Sequence, residues 1–338
     1  MGRPPSPASR GCRRRAAGAA WPALFMAACL ALTSCATAGG VRIRSVKIAG
    51  TTHLLLSDVA AYYGLTCAVT DTHFTLSGRG VSLRFSPDSR DAVVKGVKVS
   101  LSEAATTWND KPVISEVDFR RLLDPILRSK ALPRRTVTTI VLDPGHGGKD
   151  QGAAGGKSVE KDLTLAVAGR LAAALRQSGY TVHLTRTTDA YLSLDERVAL
   201  ARKHKPDLFI SLHANAADAD EVRGIETFLL TPEGTTSTYS DDTKDGASVG
   251  NAFDKENARL AYELQRGLVR STRQADRGIK HAEFRVLRDA PCPAALVEMG
   301  FISNAADEKK MRSASHQKRI AQGLWRGIRA LDRAVQPP

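Results

Sequence analysis

Apolar and polar positions follow two different rhythms along this chain, and the change falls near Thr138. Before it the rhythm is short. Val81-Ser82-Leu83-Arg84-Phe85 alternates with the period of a half-buried strand. Val41, Ile43, Val46 and Ile48 mark another strand with one break in its alternation. Val93-Val94-Lys95-Gly96-Val97-Lys98-Val99 predicts a hairpin about Lys95-Gly96, and Asn109-Asp110 marks a further turn. Short helices are expected from Ser57 and Ser115, both good N-cap residues, with Gly64 ending the first. Residues 41–127 thus read as a small α+β domain. Residues 128–137, basic and containing Pro133, read as its linker.

Beyond Thr138, hydrophobic strands alternate with helical patterns. Strand Thr138–Leu142 precedes a helix from about Glu160 to Gln177, closed by Gly179. Strand Tyr180–Leu184 and a helix capped by Ser193 follow. Strands are then expected at Asp207–Leu212, Glu226–Leu230, Phe284–Leu287 and Ala294–Val297, with a helix over about Lys255–Ser271 and two more at the end. This order predicts an α/β domain over 138–333: a mostly parallel sheet flanked by helices. Thr231 to about Phe253 is rich in Thr, Ser, Asp and Gly and lacks apolar periodicity, so it reads as a flexible loop at the cleft rim.

Sites in such sheets form beyond the carboxyl ends of the strands. Three polar residues fall there. His146 follows a strand in V-L-D-P-G-H-G-G-K-D, His213 ends one in L-F-I-S-L-H-A-N, and Glu298 ends one in A-A-L-V-E-M-G-F. Glu160 opens the helix after the glycine turn. Two His and one carboxylate form the ligand set of a catalytic zinc with an open position for water. A second carboxylate then serves as general base. The chemistry expected is metal-assisted hydrolysis with Zn(II) as cofactor. The other His residues read as surface or packing groups, although His281 precedes an expected strand and could line the cleft. Gly152 to Ser158 falls one residue short of a phosphate-binding loop and lies well past its strand, so no nucleotide is expected.

Composition adds a location. Arg10 to Arg15 form a positive segment, Trp21 to Leu32 an apolar stretch too short to span a bilayer, and Leu32-Thr33-Ser34-Cys35 follows. The box resembles the bacterial lipoprotein cleavage site. It implies a signal peptide over 1–34, lipid on Cys35 and attachment to a membrane in the bacterial envelope, facing the periplasm or wall. A plain secretory signal is the alternative. The net charge is +14, and the five Arg before Cys35 leave about +9 on the remainder (14 − 5). A basic surface suits polyanions. With 5% aromatic residues and no RNA-binding signature, nucleic acid is not the expected partner. Cys67 and Cys292 fall in different expected domains, so no disulfide framework is indicated.

Taken together, D-P-G-H-G-G-K-D, the Glu opening the next helix, S-L-H-A-N, R-G-I-K-H-A-E-F-R-V-L-R and L-V-E-M-G-F-I-S-N resemble the zinc-dependent N-acetylmuramoyl-L-alanine amidases over about 138–333. The resemblance implies zinc on His146, Glu160 and His213, with Glu298 as the catalytic glutamate. It implies peptidoglycan as substrate, cut between the lactyl group of N-acetylmuramic acid and L-alanine of the stem peptide. Arg277 and Lys280 are then candidate contacts to stem-peptide carboxylates, with plain solvation as the alternative. Leu54 to Leu65, the hairpins and Pro112 to Ser115 loosely resemble the small N-terminal domain of copper amine oxidases, here a wall-binding or spacer unit. Two rival functions remain open at this point: another zinc peptidoglycan hydrolase that cuts peptide crosslinks, and an inactive wall-binding or activating protein.

Overall fold

The computed structural model describes residues 35–38, 41–240 and 243–337. The expected signal segment lies outside them, as do the side chains of the first strand, β1 (Cys35–Ala38), and with them the thiol of Cys35. No helix among the described residues is long and apolar enough to cross a membrane.

The first half is built of short antiparallel strands. They are β2 (Val41–Ile43), β3 (Ser45–Ile48), β4 (Thr51–Leu55), β5 (Thr66–Val69), β6 (Phe74–Gly78), β7 (Val81–Phe85), β8 (Ser89–Val94), β9 (Val97–Trp108) and β10 (Lys111–Ser115), with helix α1 (Leu56–Tyr63) after β4. The break read between Ile43 and Val46 separates β2 from β3. Lys95 and Gly96 both take positive φ at the expected hairpin. Gly64, at φ 66°, closes α1, and the Ser115 side chain accepts the Asp118 amide at the next helical turn.

The second half supplies β11 (Thr139–Pro144), α2 (Glu160–Gln177), β12 (Thr181–Leu184), α3 (Leu194–His204), β13 (Leu208–Asn215), β14 (Ile225–Leu230), α4 (Asp254–Thr272), β15 (Asp276–Ala282), α5 (Arg285–Arg288), β16 (Ala294–Phe301), α6 (Ala305–Arg312) and α7 (Ala314–Val335). The strands run in the order β12-β11-β13-β16-β14-β15. All neighbours pair parallel except β14 with β16. These strands form the expected mostly parallel sheet flanked by helices, made mixed by the antiparallel pairing of β14 with β16.

Two features differ from the sequence reading. The strand expected at Phe284–Leu287 is the single helical turn α5, and the strand lies earlier, at β15. Four residues are too few to separate a strand from one helical turn that buries Val286 and Leu287. The loop after β14 is also tied down. Lys244 Nζ donates to Asn251 Oδ1 at 2.9 Å and pairs with Glu283 at 3.1 Å, and Ser248 and Asn251 form a capping box.

The two halves share one sheet and one core. Strand β15 pairs parallel with β9, Ile279 opposite Val99, and the order continues through β8, β7 and β6 to β5. One apolar cluster runs from Ile43, Leu54 and Phe85 through Leu142 and Leu264 to Ile328. The segment between the halves is pinned as well. The Arg135 amide donates to Val335 O at 2.8 Å, its guanidinium meets Glu256 at 2.6 Å, and Arg121 meets Asp254 at 2.8 Å.

Candidate metal centre and active site

The site grows out of the carboxyl end of β11. Gly145 and His146 leave the strand after Pro144, and His146 sits in the left-handed region at φ 59°. That conformation is costly for a side chain bearing a ring and persists only where the surroundings impose it. Here two buried arginines impose it. Arg197 donates to Pro144 O and His146 O, each at 2.8 Å. Arg186 donates to Pro144 O at 3.1 Å and to Gly145 O at 2.9 Å. Arg197 is itself held by Asp143 at 2.8 Å, and Asp143 also accepts Thr185 Oγ1 and Ser211 Oγ. A buried charge persists when it is paired and its remaining hydrogen bonds are made.

Glu160, the first residue of α2, lies between the two histidines. Its Oε2 is 3.1 Å from His146 Nε2, and its Oε1 is 2.8 Å from His213 Nδ1. The amides of Ala153 and Ala214 also donate to the carboxylate, at 2.8 and 3.0 Å. The two imidazole rings stand nearly perpendicular, with centroids 5.0 Å apart. One donor atom from each of His146, Glu160 and His213 lies within 4.8 Å of the others. A tetrahedral zinc with bonds of about 2.1 Å holds its donors roughly 3.4 Å apart, and donor atoms that all lie within 4.8 Å of one another are close to that spacing. Asp150 Oδ2 meets His146 Nδ1 at 2.9 Å. A carboxylate behind a ligating His fixes its ring and leaves the far nitrogen free to bind. Burial opposes ionisation of Glu160, yet hydrogen bonds from both histidines outweigh it and hold the carboxyl well below its usual range. Burial likewise works against the charged form of His146, but Glu160 and Asp150 prevail and raise it.

Register places the fourth residue. His213 stands opposite Glu298 on β16, and Glu298 stands opposite Glu226 on β14. Residues directly opposite share a face of the sheet. Glu298 is buried, and its Oε2 has no hydrogen-bond partner among the described residues. Burial, then the nearby charges of Glu160 and Glu226, push its carboxyl well above the usual range. A buried carboxylate oxygen without a donor, beside a cluster of donor atoms, fits a group that handles protons. A cavity of about 340 Å³ opens over His146, His213 and Glu298, with the exposed side chains of Tyr191, Leu194 and Phe284 at its rim.

The structure therefore brings His146, Glu160, His213 and Glu298 together. Arg277 and Lys280 lie nearby, but both are turned to a buried partner. Arg277 Nε meets Glu226 Oε2 at 2.9 Å, and Lys280 Nζ meets the same oxygen at 2.5 Å and the Tyr239 hydroxyl. His281 is buried at the edge of a neighbouring cavity, with Nδ1 unpartnered among the described residues, and burial lowers its pKa to about 3. Sequence reading assigned no role to Asp150, Arg186, Arg197 or Glu226. The signal for Asp150 was its position four residues after His146 in the glycine turn.

Comparison with known proteins agrees with this geometry. The family model for N-acetylmuramoyl-L-alanine amidase (Amidase_3) matches residues 140–330, more than half of the chain. N-acetylmuramoyl-L-alanine amidase LytC of Bacillus subtilis is 37% identical over 189 residues, which are 56% of this chain and 34% of LytC. N-acetylmuramoyl-L-alanine amidase AmiC of Escherichia coli is 34% identical over 216 residues, 56% of this chain and 52% of AmiC. This chain thus spans a third to a half of those two relatives. The crystal structure of the N-acetylmuramyl-L-alanine amidase Ami1 from Mycobacterium smegmatis superposes with a TM-score of 0.50 at 21% identity, covering 59% of this chain and 99% of that one, which is a likeness of fold. With its family model matched across every strand and helix that carries the site, the chain belongs to the N-acetylmuramoyl-L-alanine amidase family.

Proposed function

We propose that the chain is a zinc-dependent peptidoglycan amidase that hydrolyses the amide between N-acetylmuramic acid and L-alanine. One observation carries the reading. Donor atoms from three separate elements meet within 4.8 Å, and Glu298 stands in register beside one of them.

The residues suit the metal, with two imidazoles, one carboxylate and an Asp150 brace behind His146. A zinc ion bound there supplies a Lewis acid that acidifies water and takes up charge developing on the amide oxygen. His146, Glu160 and His213 are the ligands. Glu298 accepts a proton from the attacking water as the new C–O bond forms at the lactyl carbonyl. It then delivers that proton to the L-alanine nitrogen as the C–N bond breaks. Burial, then the neighbouring carboxylates Glu160 and Glu226, raise the Glu298 carboxyl, so a proton taken from water is held there long enough to be passed on. Its Oε2, without a hydrogen-bond partner among the described residues, takes the proton. The apolar rim of Tyr191, Leu194 and Phe284 keeps bulk water away from the reacting centre.

Roles are tested by measuring bound zinc and stem-peptide release together. Glu298→Gln should keep its zinc and lose roughly 10²–10⁴-fold in turnover, the usual worth of a general base. His213→Ala should lose both. A Glu298→Gln protein without zinc, or with near-parental turnover, would reassign Glu298 to the ligand set or to structure.

We also propose that lipid on Cys35 anchors the protein to a membrane of the envelope and that residues 41–127 act as a wall-binding or spacing unit. The first rests on the Leu-Thr-Ser-Cys box after a charged and apolar leader. A Cys35→Ser protein that is processed and fractionates with membranes like the parent contradicts it. The second rests on the absence of clustered His, Cys or paired carboxylates in that stretch. Unchanged sedimentation with sacculi after surface substitutions there contradicts wall binding and leaves the spacing role.

A further inference from the structure

Pairing between the two halves carries the active-site row of the sheet much further than β14. His213 stands opposite Glu298, and Glu298 opposite Glu226. Glu226 falls within the irregular pairing of Ile225–Thr227 against Asp276–Ile279. Ile279 pairs with Val99, which sets Gly278 beside Lys98. A Cβ on Gly278 would lie 2.8 Å from Lys98 O, confirming the close approach. Lys98 stands opposite Val93, and Val93 opposite Arg84. One row thus crosses seven strands, from the metal cluster to Arg84 on β7.

The cavities follow the same row. The cavity over the metal cluster shares Glu298 and Phe284 with a second, of about 470 Å³. The second shares Tyr239 with a third, of about 430 Å³, at the junction of β15 with β8 and β9. Four basic residues, Arg84, Lys98, Arg277 and Lys280, line this junction cavity, against two acidic ones, Asp91 and Asp276. Glu226 engages Arg277 and Lys280. Asp276 is held by Gln265 and by the amides of Gly278 and Lys98. The side chains of Arg84 and Lys98 are exposed and make no hydrogen bond or ion pair among the described residues.

We propose that this junction is a subsite for the carboxylates of the distal stem peptide, with Lys98 as its principal contact and Arg84 behind it. The proposal rests on the amidase reading above. Three strand spacings of about 4.8 Å put β9 roughly 14 Å from Glu298. A stem of four extended residues reaches about 14 Å from the cleaved amide. A tetrapeptide whose L-alanine amine sits at Glu298 therefore brings its terminal carboxylate to Lys98. Residues 41–127 then contribute directly to substrate selection, because Lys98 and Arg84 both come from that half.

The test is calorimetric binding to the full chain of a stem tetrapeptide headed by L-alanine, and of the same peptide with its C-terminal carboxylate amidated. The acid should bind about tenfold more tightly, as for one charge-assisted contact at a partly exposed site. The double variant Arg84→Ala/Lys98→Ala should bind both peptides alike. Both side chains are exposed, so an unchanged thermal midpoint will show that the variant folds. Equal binding of acid and amide by the parent overturns the subsite, as does a variant that keeps the tenfold preference. Displacement of the peptide by glycerol phosphate at equal concentration also overturns it, by assigning the junction to phosphate. A parent that keeps the preference yet releases no L-alanine-headed peptide from sacculi upholds the subsite and sinks the amidase reading.

Discussion

Replacing Gly145 by alanine probes the metal centre without touching a ligand. The backbone of Gly145 lies outside the left-handed region, so alanine is conformationally allowed there. The obstacle is steric. A Cβ at this position would lie 2.3, 2.5 and 2.7 Å from Cε1, Nε2 and Nδ1 of His213. Ordinary contacts of this kind sit near 3.5 Å, so the imidazole must retreat by about 1 Å. The turn cannot yield in its place. Gly145 N donates to Leu212 O at 2.9 Å, and its carbonyl accepts Arg186 and the buried Thr164 hydroxyl, each at 2.9 Å. A misplacement of about 1 Å at a reacting centre costs on the order of 100-fold in rate. Displacing a ligand should weaken metal binding by at least the roughly 10–100-fold typical of disturbing its supporting contacts. Overpacking adds about 1–3 kcal/mol of destabilisation. Gly169→Ala is the matched control. It lies inside α2, where an added Cβ meets nothing within 4 Å. Alanine there should raise stability by about 0.5–1 kcal/mol and leave turnover alone. The assay is a zinc titration against a chromophoric chelator, paired with stem-peptide release from labelled sacculi. Parental zinc affinity and turnover in Gly145→Ala would refute the placement of His213 against the turn.

Two further outcomes follow from buried groups around the site. Arg197→Leu leaves the buried Asp143 carboxylate without its ion-pair partner and frees the His146 carbonyl, while Pro144 O keeps Arg186, so the chain should lose about 3–5 kcal/mol of stability, read as a lower urea midpoint; a loss under about 1 kcal/mol would show the clamp to be dispensable. His316 is buried with its pKa lowered to about 4 by burial, then by Arg319 and Lys310. The unfolded chain protonates this group near 6.5 and the folded one only near 4, so the contribution of His316 to stability is full above pH 6.5 and falls by roughly 3 kcal/mol on the way down to pH 4. With chelator present throughout, His316→Gln should flatten that slope in urea melts at pH 7 and 4.5; an unchanged slope contradicts the assignment.

Much of the site was legible because its residues sit at predictable places. His146 follows β11, His213 lies near the end of β13, Glu298 lies within β16 with three strand residues beyond it, and Glu160 begins the helix that follows the glycine-rich segment. A sequence pattern does locate the strands that carry these residues, although β13 and β16 run past the ends it suggested. The union of the two halves was not legible. Strand β9 pairs with β15 although Val99 and Ile279 lie far apart in sequence, and alternation in either strand says nothing about which edge it will meet. Arg277 and Lys280 illustrate the same limit. Their basic character suggested contact with substrate, but Glu226 holds both, and its role depends on register with Glu298. Nothing in the sequence singles out Arg186 and Arg197, because only the fold brings the carbonyls of the glycine turn to them.

The central claim is the identity of the bond that is cut. Sacculi digested with the zinc-loaded full chain and analysed by mass will decide it. The account predicts intact stem peptides with a free L-alanine amine, glycan strands that keep their lactyl groups, and loss of both products when His213 is replaced by alanine. Peptides cut within the stem or at a crosslink, or sugar fragments from a broken glycan strand, would contradict it.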